Sequence, residues 1–148
     1  MDAKEFENRA IEAFRTANLR VTMPRIEVVR VLATSERSLN AQAIFERIKE
    51  RGNRIDLVSV YRTLQVLNEI GLIHHLGMVD GYSACKLDCS HSHDMQHFVC
   101  GTCGKVTEFE IPNCARNDLA VQVKEDGFVL SEMRIELSGQ CAQCVRAH

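Results

Sequence analysis

The segment from Cys85 to Glu108, CKLDCSHSHDMQHFVCGTCGKVTE, most constrains what this chain can fold into. Four of the chain's seven cysteines lie in it, interleaved with His91, His93 and His97 and ending on Glu108. Cys100-Gly101-Thr102-Cys103-Gly104 reads as a metal-binding knuckle. Two residues between the thiols let both sulfurs face one ion, and the glycines relieve crowding where backbone N–H groups turn toward sulfur. A second pair, Cys141-Ala142-Gln143-Cys144, lies near the last residue. Two CxxC pairs supply four thiolates, the full tetrahedral shell of a structural zinc ion, so the C-terminal stretch is expected to be tied back onto Cys100 and Cys103.

Cys85, Cys89, His91, His93 and His97 are then left over, too many good ligands for one closed site. Taken singly, His91 and His93 read as solvated loop residues and Cys85 as a small buried hydrophobe. Together, in so short a loop, they favour a ligand set for a second ion with a different task.

With 148 residues, 45% of them hydrophobic, the chain holds one large domain or two small ones with real cores. No run of about 18 apolar residues and no basic stretch leading into an apolar one is present, so the expectation is a cytoplasmic protein with no membrane partner. Thiols grouped as CxxC beside histidines fit metal in a reducing compartment better than a disulfide framework. The net charge of −2 argues against a generic nucleic-acid binder. Its distribution is uneven: twelve Lys and Arg face eleven Asp and Glu up to Asp80, but six face nine after it. DNA binding would therefore depend on local placement and dimerisation rather than on a strong overall field.

Apolar spacing predicts helices over Asp2 to Asn18, from Pro24 to about Ser35, from Asn40 to Arg51 and from about Leu57 to Ile70. Thr22 and Asn40 are candidate N-caps, and Gly52 and Gly71 stop the third and fourth helices. Two short extended segments, 72–76 and 82–85, flank a turn at Val79-Asp80-Gly81. Several short helices followed by a hairpin make a winged helix-turn-helix pattern. Beyond the ligand-rich loop, strands are predicted over 97–100, 105–111 and 128–137, with a helix over 114–126 between the last two. The fold class is thus α+β: an N-terminal winged helix-turn-helix domain over 1–84, a hinge and ligand loop over 85–96, and a small α/β dimerisation domain with a zinc knuckle over 97–148. An exposed edge in so small a sheet makes a symmetric homodimer the natural expectation.

Val21-Thr22-Met23-Pro24-Arg25, the helix segment Val60-Tyr61-Arg62-Thr63-Leu64 and the knuckle His97-Phe98-Val99-Cys100-Gly101-Thr102-Cys103-Gly104 occur in the order found in the ferric uptake regulator (Fur) family. The resemblance spans nearly the whole chain. It implies a dimeric, metal-dependent transcription factor that is not an enzyme, with no small-molecule substrate. Iron-sensing members place a histidine in the segment that here reads Arg37-Ser38-Leu39-Asn40-Ala41, and a glutamate where this chain has Cys85. Both are missing, and the pattern is instead similar to the zinc uptake regulator (Zur) branch. That likeness implies a sensory zinc site of His74, Cys85, His93 and Glu108, with Cys89, His91 and His97 as alternates, and two Zn(II) ions per subunit, one structural and one regulatory. A thiolate suits Zn(II), whereas an oxygen- and nitrogen-rich shell suits Fe(II) or Mn(II) better. Asp126 stands where some relatives have a histidine, which leaves a third metal site in doubt.

The resemblance also implies double-stranded operator DNA as partner, with repression of zinc-uptake and homeostasis genes in the zinc-loaded state. Base and backbone contacts are expected from the fourth helix: Arg62 on a purine edge and Tyr61 on a thymine methyl or phosphate, with Ser59 and Thr63 beside them. Arg20 and Arg25 are candidates for phosphate contact. The competing readings are an iron- or peroxide-responsive repressor of the same family, a zinc-scavenging module without DNA binding, and a thiol-disulfide oxidoreductase using Cys100 and Cys103.

Overall fold

The computed structural model describes residues 2–86 and 95–147. Helix α1 (Ala3–Thr16) is started by Asp2, whose carboxylate accepts the Glu5 N–H at 2.7 Å, and it buries Phe6, Ala10 and Phe14 along one stripe. That four-residue repeat is one face of an α-helix. Helix α2 (Met23–Ala33) carries Pro24 in its first turn, where a missing N–H costs nothing. Thr22 holds the cap position without a side-chain hydrogen bond. Six residues of α2 are buried, among them Glu27, because the helix runs through the middle of the helical layer. Glu27 is tolerated there by Arg30, which bonds it at 2.9 Å and reaches Glu7 of α1 at 2.8 Å.

Helix α3 (Ala41–Glu50) is capped by Asn40 onto the Ala43 amide, and α4 (Leu57–Glu69) by Asp56 onto the Ser59 amide. The hairpin of β1 (Ile73–Leu76) and β2 (Gly81–Ala84) pairs Ile73 with Ala84 and Leu76 with Gly81. Leu39, between α2 and α3, joins its edge by exchanging backbone bonds of 3.0 and 2.8 Å with Tyr82. A Cβ at Gly81 would lie 3.0 Å from the Cβ of Ser38, so this close crossing favours glycine. The helices and wing share one core that includes Phe14, Leu32, Ile44, Leu64, Leu67 and Ile73.

A second sheet has the order β4-β3-β5. Strand β3 (Met95–Cys100) pairs antiparallel with β4 (Val106–Glu108) and parallel with β5 (Arg134–Gly139), and the chain reaches β5 through α5 (Asn113–Glu125). A short helix, α6 (Ala142–Arg146), follows; the sequence pattern did not predict it. The strand expected over 128–137 begins only at Arg134. Phe128 and Val129 have good strand propensity but are 71% and 94% exposed, and no strand among the described residues pairs with them. The strand expected over 105–111 likewise shortens to Val106–Glu108. Helix α5 has no buried residue, and its Leu119 and Val121 face outward.

The two layers are stitched together behind the wing. Ser38 donates its N–H to the Gly104 carbonyl at 3.0 Å, Val106 donates to the Glu36 carbonyl at 3.0 Å, and Lys105 pairs with Glu36 at 3.4 Å. Because Phe14 is fully buried where α1 closes the helical core, Phe14→Ala is expected to cost about 3–5 kcal/mol. Urea unfolding followed by far-UV dichroism measures this, and a loss below 1 kcal/mol would place α1 outside the core.

Candidate metal centres and nucleic-acid interface

Parallel pairing of β3 with β5 sets Cys100 opposite Gly139, and the next turn delivers Cys141 to the start of α6. The four sulfurs of Cys100, Cys103, Cys141 and Cys144 lie within 4.8 Å of one another. Two of the separations are 3.8 Å (Cys100 to Cys144) and 3.7 Å (Cys103 to Cys141). A tetrahedron with zinc–sulfur bonds of the usual length has edges of about 3.8 Å, so this spacing fits one tetrahedral ion. The Cys141 N–H points at the Cys100 sulfur from 3.3 Å. Amides of Cys141, Cys103 and Thr102 hold the Cys100 thiol down to about 6, while hydrogen bonds with Cys141 and Cys103 push Cys144 up to about 12. Backbone amides also lower Cys141, so the cluster favours thiolates at Cys100 and Cys141 but resists one at Cys144, and a cation at its centre would relieve that conflict. All four are free thiols here, as is the exposed Cys114.

The second cluster joins the two sheets. His74 comes from β1, His97 from β3 and Glu108 from β4, where the register sets Glu108 directly opposite His97. The Glu108 carboxylate lies 3.6 Å from His74 Nε2 and 4.0 Å from His97 Nε2, and the two imidazole rings are 5.0 Å apart. Both histidines are buried, at 5% and 2% exposure. Burial first, then the neighbouring His97, Arg134 and Arg9, pushes His74 down to about 4. Burial lowers His97 as well, against an opposing pull from Glu136. Both rings are therefore neutral near pH 7, the form that donates a lone pair to a metal. His74 Nδ1 and His97 Nε2 are buried without a hydrogen-bond partner, and two neutral imidazoles beside a carboxylate are a fitting ligand set for a divalent cation.

Of the sensory residues expected from sequence, His74 and Glu108 meet in this cluster. The alternate His97 joins them. Cys85 is fully buried at the end of β2, donating its N–H to Leu72 and accepting a bond from Arg9 at its carbonyl. Its sulfur is disulfide-bonded in this structure, so a ligand role calls for the reduced thiol. Cys89, His91 and His93 lie outside the described residues. Sequence reasoning missed Arg9, and also Glu136, whose carboxylate accepts the Gly77 and Met78 N–H groups at 3.1 and 3.0 Å. Nothing in the alternation of β5 distinguishes Glu136 from its solvated neighbours.

On α4, Tyr61 and Arg62 are exposed, Tyr61 at 54%. Thr63 corrects the sequence expectation: it is 4% exposed and its hydroxyl donates to the Ser59 carbonyl at 2.8 Å, because its helix position faces the core. The Ser59 hydroxyl donates in turn to Asp56 at 2.7 Å and so supports the cap of α4. Arg20 is exposed, whereas Arg25 is half-buried, its guanidinium 5.5 Å from the Phe14 ring and donating to the Arg20 carbonyl at 2.6 Å. Arg25 thus orders the turn that carries Arg20.

The ferric uptake regulator family model matches residues 16–138. The chain belongs to that family. It is 31% identical over 132 residues to the ferric uptake regulation protein of Shigella flexneri, covering 88% of this chain and 87% of that one. It is 27% identical to the peroxide-responsive repressor PerR of Staphylococcus aureus, over 91% of this chain and 88% of the other. Among solved structures it resembles a zinc uptake regulator complexed with zinc and DNA, with a TM-score of 0.84, 27% identity and coverage of 99% and 97% of the two chains. As a Fur-family member it is a metal-responsive DNA-binding regulator and not an enzyme, which sets aside the oxidoreductase reading of Cys100 and Cys103. No helix among the described residues is long and apolar enough to cross a membrane.

The buried histidines give the metal-free Fur-family fold a defined acid response. An unfolded His74 titrates near 6.5 and the folded one near 4, so the unfolded state binds more protons between these values. Stability is full above about pH 6.5 and falls as pH drops toward 4, by about 1.4 kcal/mol per pH unit at most for this group. Urea midpoints of the chelated protein against pH should follow that slope, and His74→Gln should flatten it. A midpoint insensitive to pH over this window would contradict the burial of a neutral His74.

Proposed function

We propose that the protein is a zinc-responsive dimeric transcriptional repressor that binds operator DNA of zinc-uptake and homeostasis genes when loaded with Zn(II). The observation that carries this reading is the convergence of His74 from the wing with His97 and Glu108 from the three-stranded sheet. One ion held there would supply the positive charge that ties two separately packed layers together. We assign residues 1–84 to DNA binding, 85–96 to the hinge and 97–148 to dimerisation and metal binding.

Cys100, Cys103, Cys141 and Cys144 would hold a structural zinc. His74, Glu108 and reduced Cys85, with His93 or His97, would hold the regulatory one, giving two ions per subunit. The cysteine at position 85 favours zinc over iron, because a soft thiolate suits Zn(II). Tyr61 and Arg62 would face the major groove and Arg20 a phosphate. Exposed Phe98, Phe128, Val129 and Leu137 support a homodimer contact on the sheet side. With His74 anchored to β3 and β4, the wing and the α4 helix it supports keep one orientation. Two α4 helices in a dimer can then meet successive major grooves about 34 Å apart; without that anchor they would sample many spacings.

An iron- or peroxide-responsive repressor is the second reading, favoured by the nitrogen- and oxygen-only composition of the His74, His97 and Glu108 cluster. Fluorescence anisotropy of an operator duplex, titrated with Zn(II) or Fe(II) under reducing conditions, separates the two. Zinc is expected to be the stronger activator, and Cys85→Ser should make operator binding insensitive to added zinc while leaving the dimer and the four-cysteine ion in place. A stronger response to Fe(II), or a normal zinc response in Cys85→Ser, would move the protein to the second reading. In the same assay Arg62→Ala should weaken specific binding by about 1–3 kcal/mol without altering metal content. Unchanged affinity would remove Arg62 from the readout.

A further inference from the structure

The three-stranded sheet grips both ends of the hairpin through carboxylates, and only one of the two belongs to the metal cluster. Glu108 of β4 accepts the Lys86 N–H through both carboxylate oxygens, at 3.1 and 3.0 Å, just past the end of β2. At the other end of the hairpin, Glu136 of β5 turns its two oxygens onto separate amides, Oε1 on Gly77 at 3.1 Å and Oε2 on Met78 at 3.0 Å. These amides follow directly on β1, three and four positions after His74. Glu136 is also the register partner of His97, so one short stretch of sheet carries both a metal-cluster imidazole and this grip.

Geometry sets Glu136 apart from a surface acid. The residue is half-buried, and its bonds span nearly sixty residues of sequence between elements that share no backbone ladder. Neither amide has a partner in the β1–β2 pairing, which ends at Leu76 and Gly81. Charge-assisted bonds from two consecutive N–H groups to one carboxylate are roughly twice as strong as neutral ones, and the pair fixes direction as well as distance.

We propose that Glu136 is a latch that positions the wing against the three-stranded sheet independently of the metal cluster, lowering the cost of reaching the DNA-competent arrangement. It is a positioning residue: it is not one of the clustered ligands and is remote from the exposed face of α4. The proposal rests on the reading above only in taking wing placement as what operator binding depends on. A latch of this kind shifts a two-state equilibrium, so removing it reduces the fraction of competent protein and raises the metal concentration needed for binding.

The test uses the full-length protein and measures hydrogen exchange at the Gly77 and Met78 amides, with and without zinc. In the unmutated protein both amides should be protected even under chelation. In Glu136→Ala they should exchange at least tenfold faster, while zinc content at the four cysteines and dimer mass stay unchanged. The zinc concentration for half-maximal operator binding should rise roughly tenfold, within the ordinary range of coupling between sites. Glu136→Gln, which keeps one oxygen acceptor, should fall between the two. Exchange in the chelated unmutated protein needs no mutant to fold and no choice of metal, so its outcome is separate from the question of zinc against iron. Amides that exchange as fast as those of Val79 and Asp80 in the same turn would overturn the latch. Unchanged operator binding in Glu136→Ala or Glu136→Gln would do the same, whether or not exchange changes.

Discussion

Parallel pairing between β3 and β5 is the contact from which the four-cysteine cluster follows. Its register sets Cys100 against Gly139, so the chain leaves β5 with Cys141 already at the knuckle. Shifted by two residues, the same strand would carry Cys141 and Cys144 about 7 Å along β3, out of reach of Cys100 and Cys103. That register also sets Glu136 beside His97. Parallel pairing requires a crossover, and α5 supplies it even though it buries little within the subunit. The helix and the segment after it leave Leu119, Val121, Phe128 and Val129 outside, an apolar surface that one subunit leaves uncovered.

The second constraint is electrostatic. Two neutral histidines are buried with one nitrogen of each unpartnered, beside a carboxylate whose two oxygens already share the Lys86 N–H. In the metal-free chain this arrangement is costly, since unpaired buried polar atoms typically cost about 1–3 kcal/mol each. A bound cation would accept one lone pair from each ring beside the carboxylate, so the cost of the metal-free arrangement would become part of its selectivity for the loaded one. The helical layer spreads such costs differently, pairing buried Glu27 with Arg30 and leaving nothing to switch.

Sequence made the four-cysteine centre legible because CxxC spacing is a local property: two residues of separation bring both sulfurs to one side in almost any tight turn. The helices were legible for the same reason, with a cap at Asn40 and glycines at 52 and 71 after the third and fourth, although the expected cap Thr22 makes no side-chain bond. The histidine cluster was only partly so. His93 and His97 both precede the knuckle, seven and three residues before Cys100, and that His97 faces Glu108 is a matter of strand register that no local pattern records. Thr63 shows the opposite error: a motif suggested a reading surface, while helix phase turned its side chain inward. Phe128 and Val129 have strand chemistry but, among the described residues, no strand beside them. The Glu136 grip was invisible because its partners are backbone amides, which carry no signature in side-chain sequence.

The segment between α2 and α3 belongs to both halves of the molecule. Leu39 completes the edge of the wing, while Glu36 and Ser38 bond the knuckle strand through Val106 and Gly104. A fragment ending near residue 86, which keeps the helices and hairpin without the three-stranded sheet, would therefore bare a row of backbone donors and acceptors along 36–38, an open β-edge inviting self-association. Fusion proteins and reporters that retain only the first half of the chain inherit that exposed edge, and solubility rather than folding becomes their main design problem.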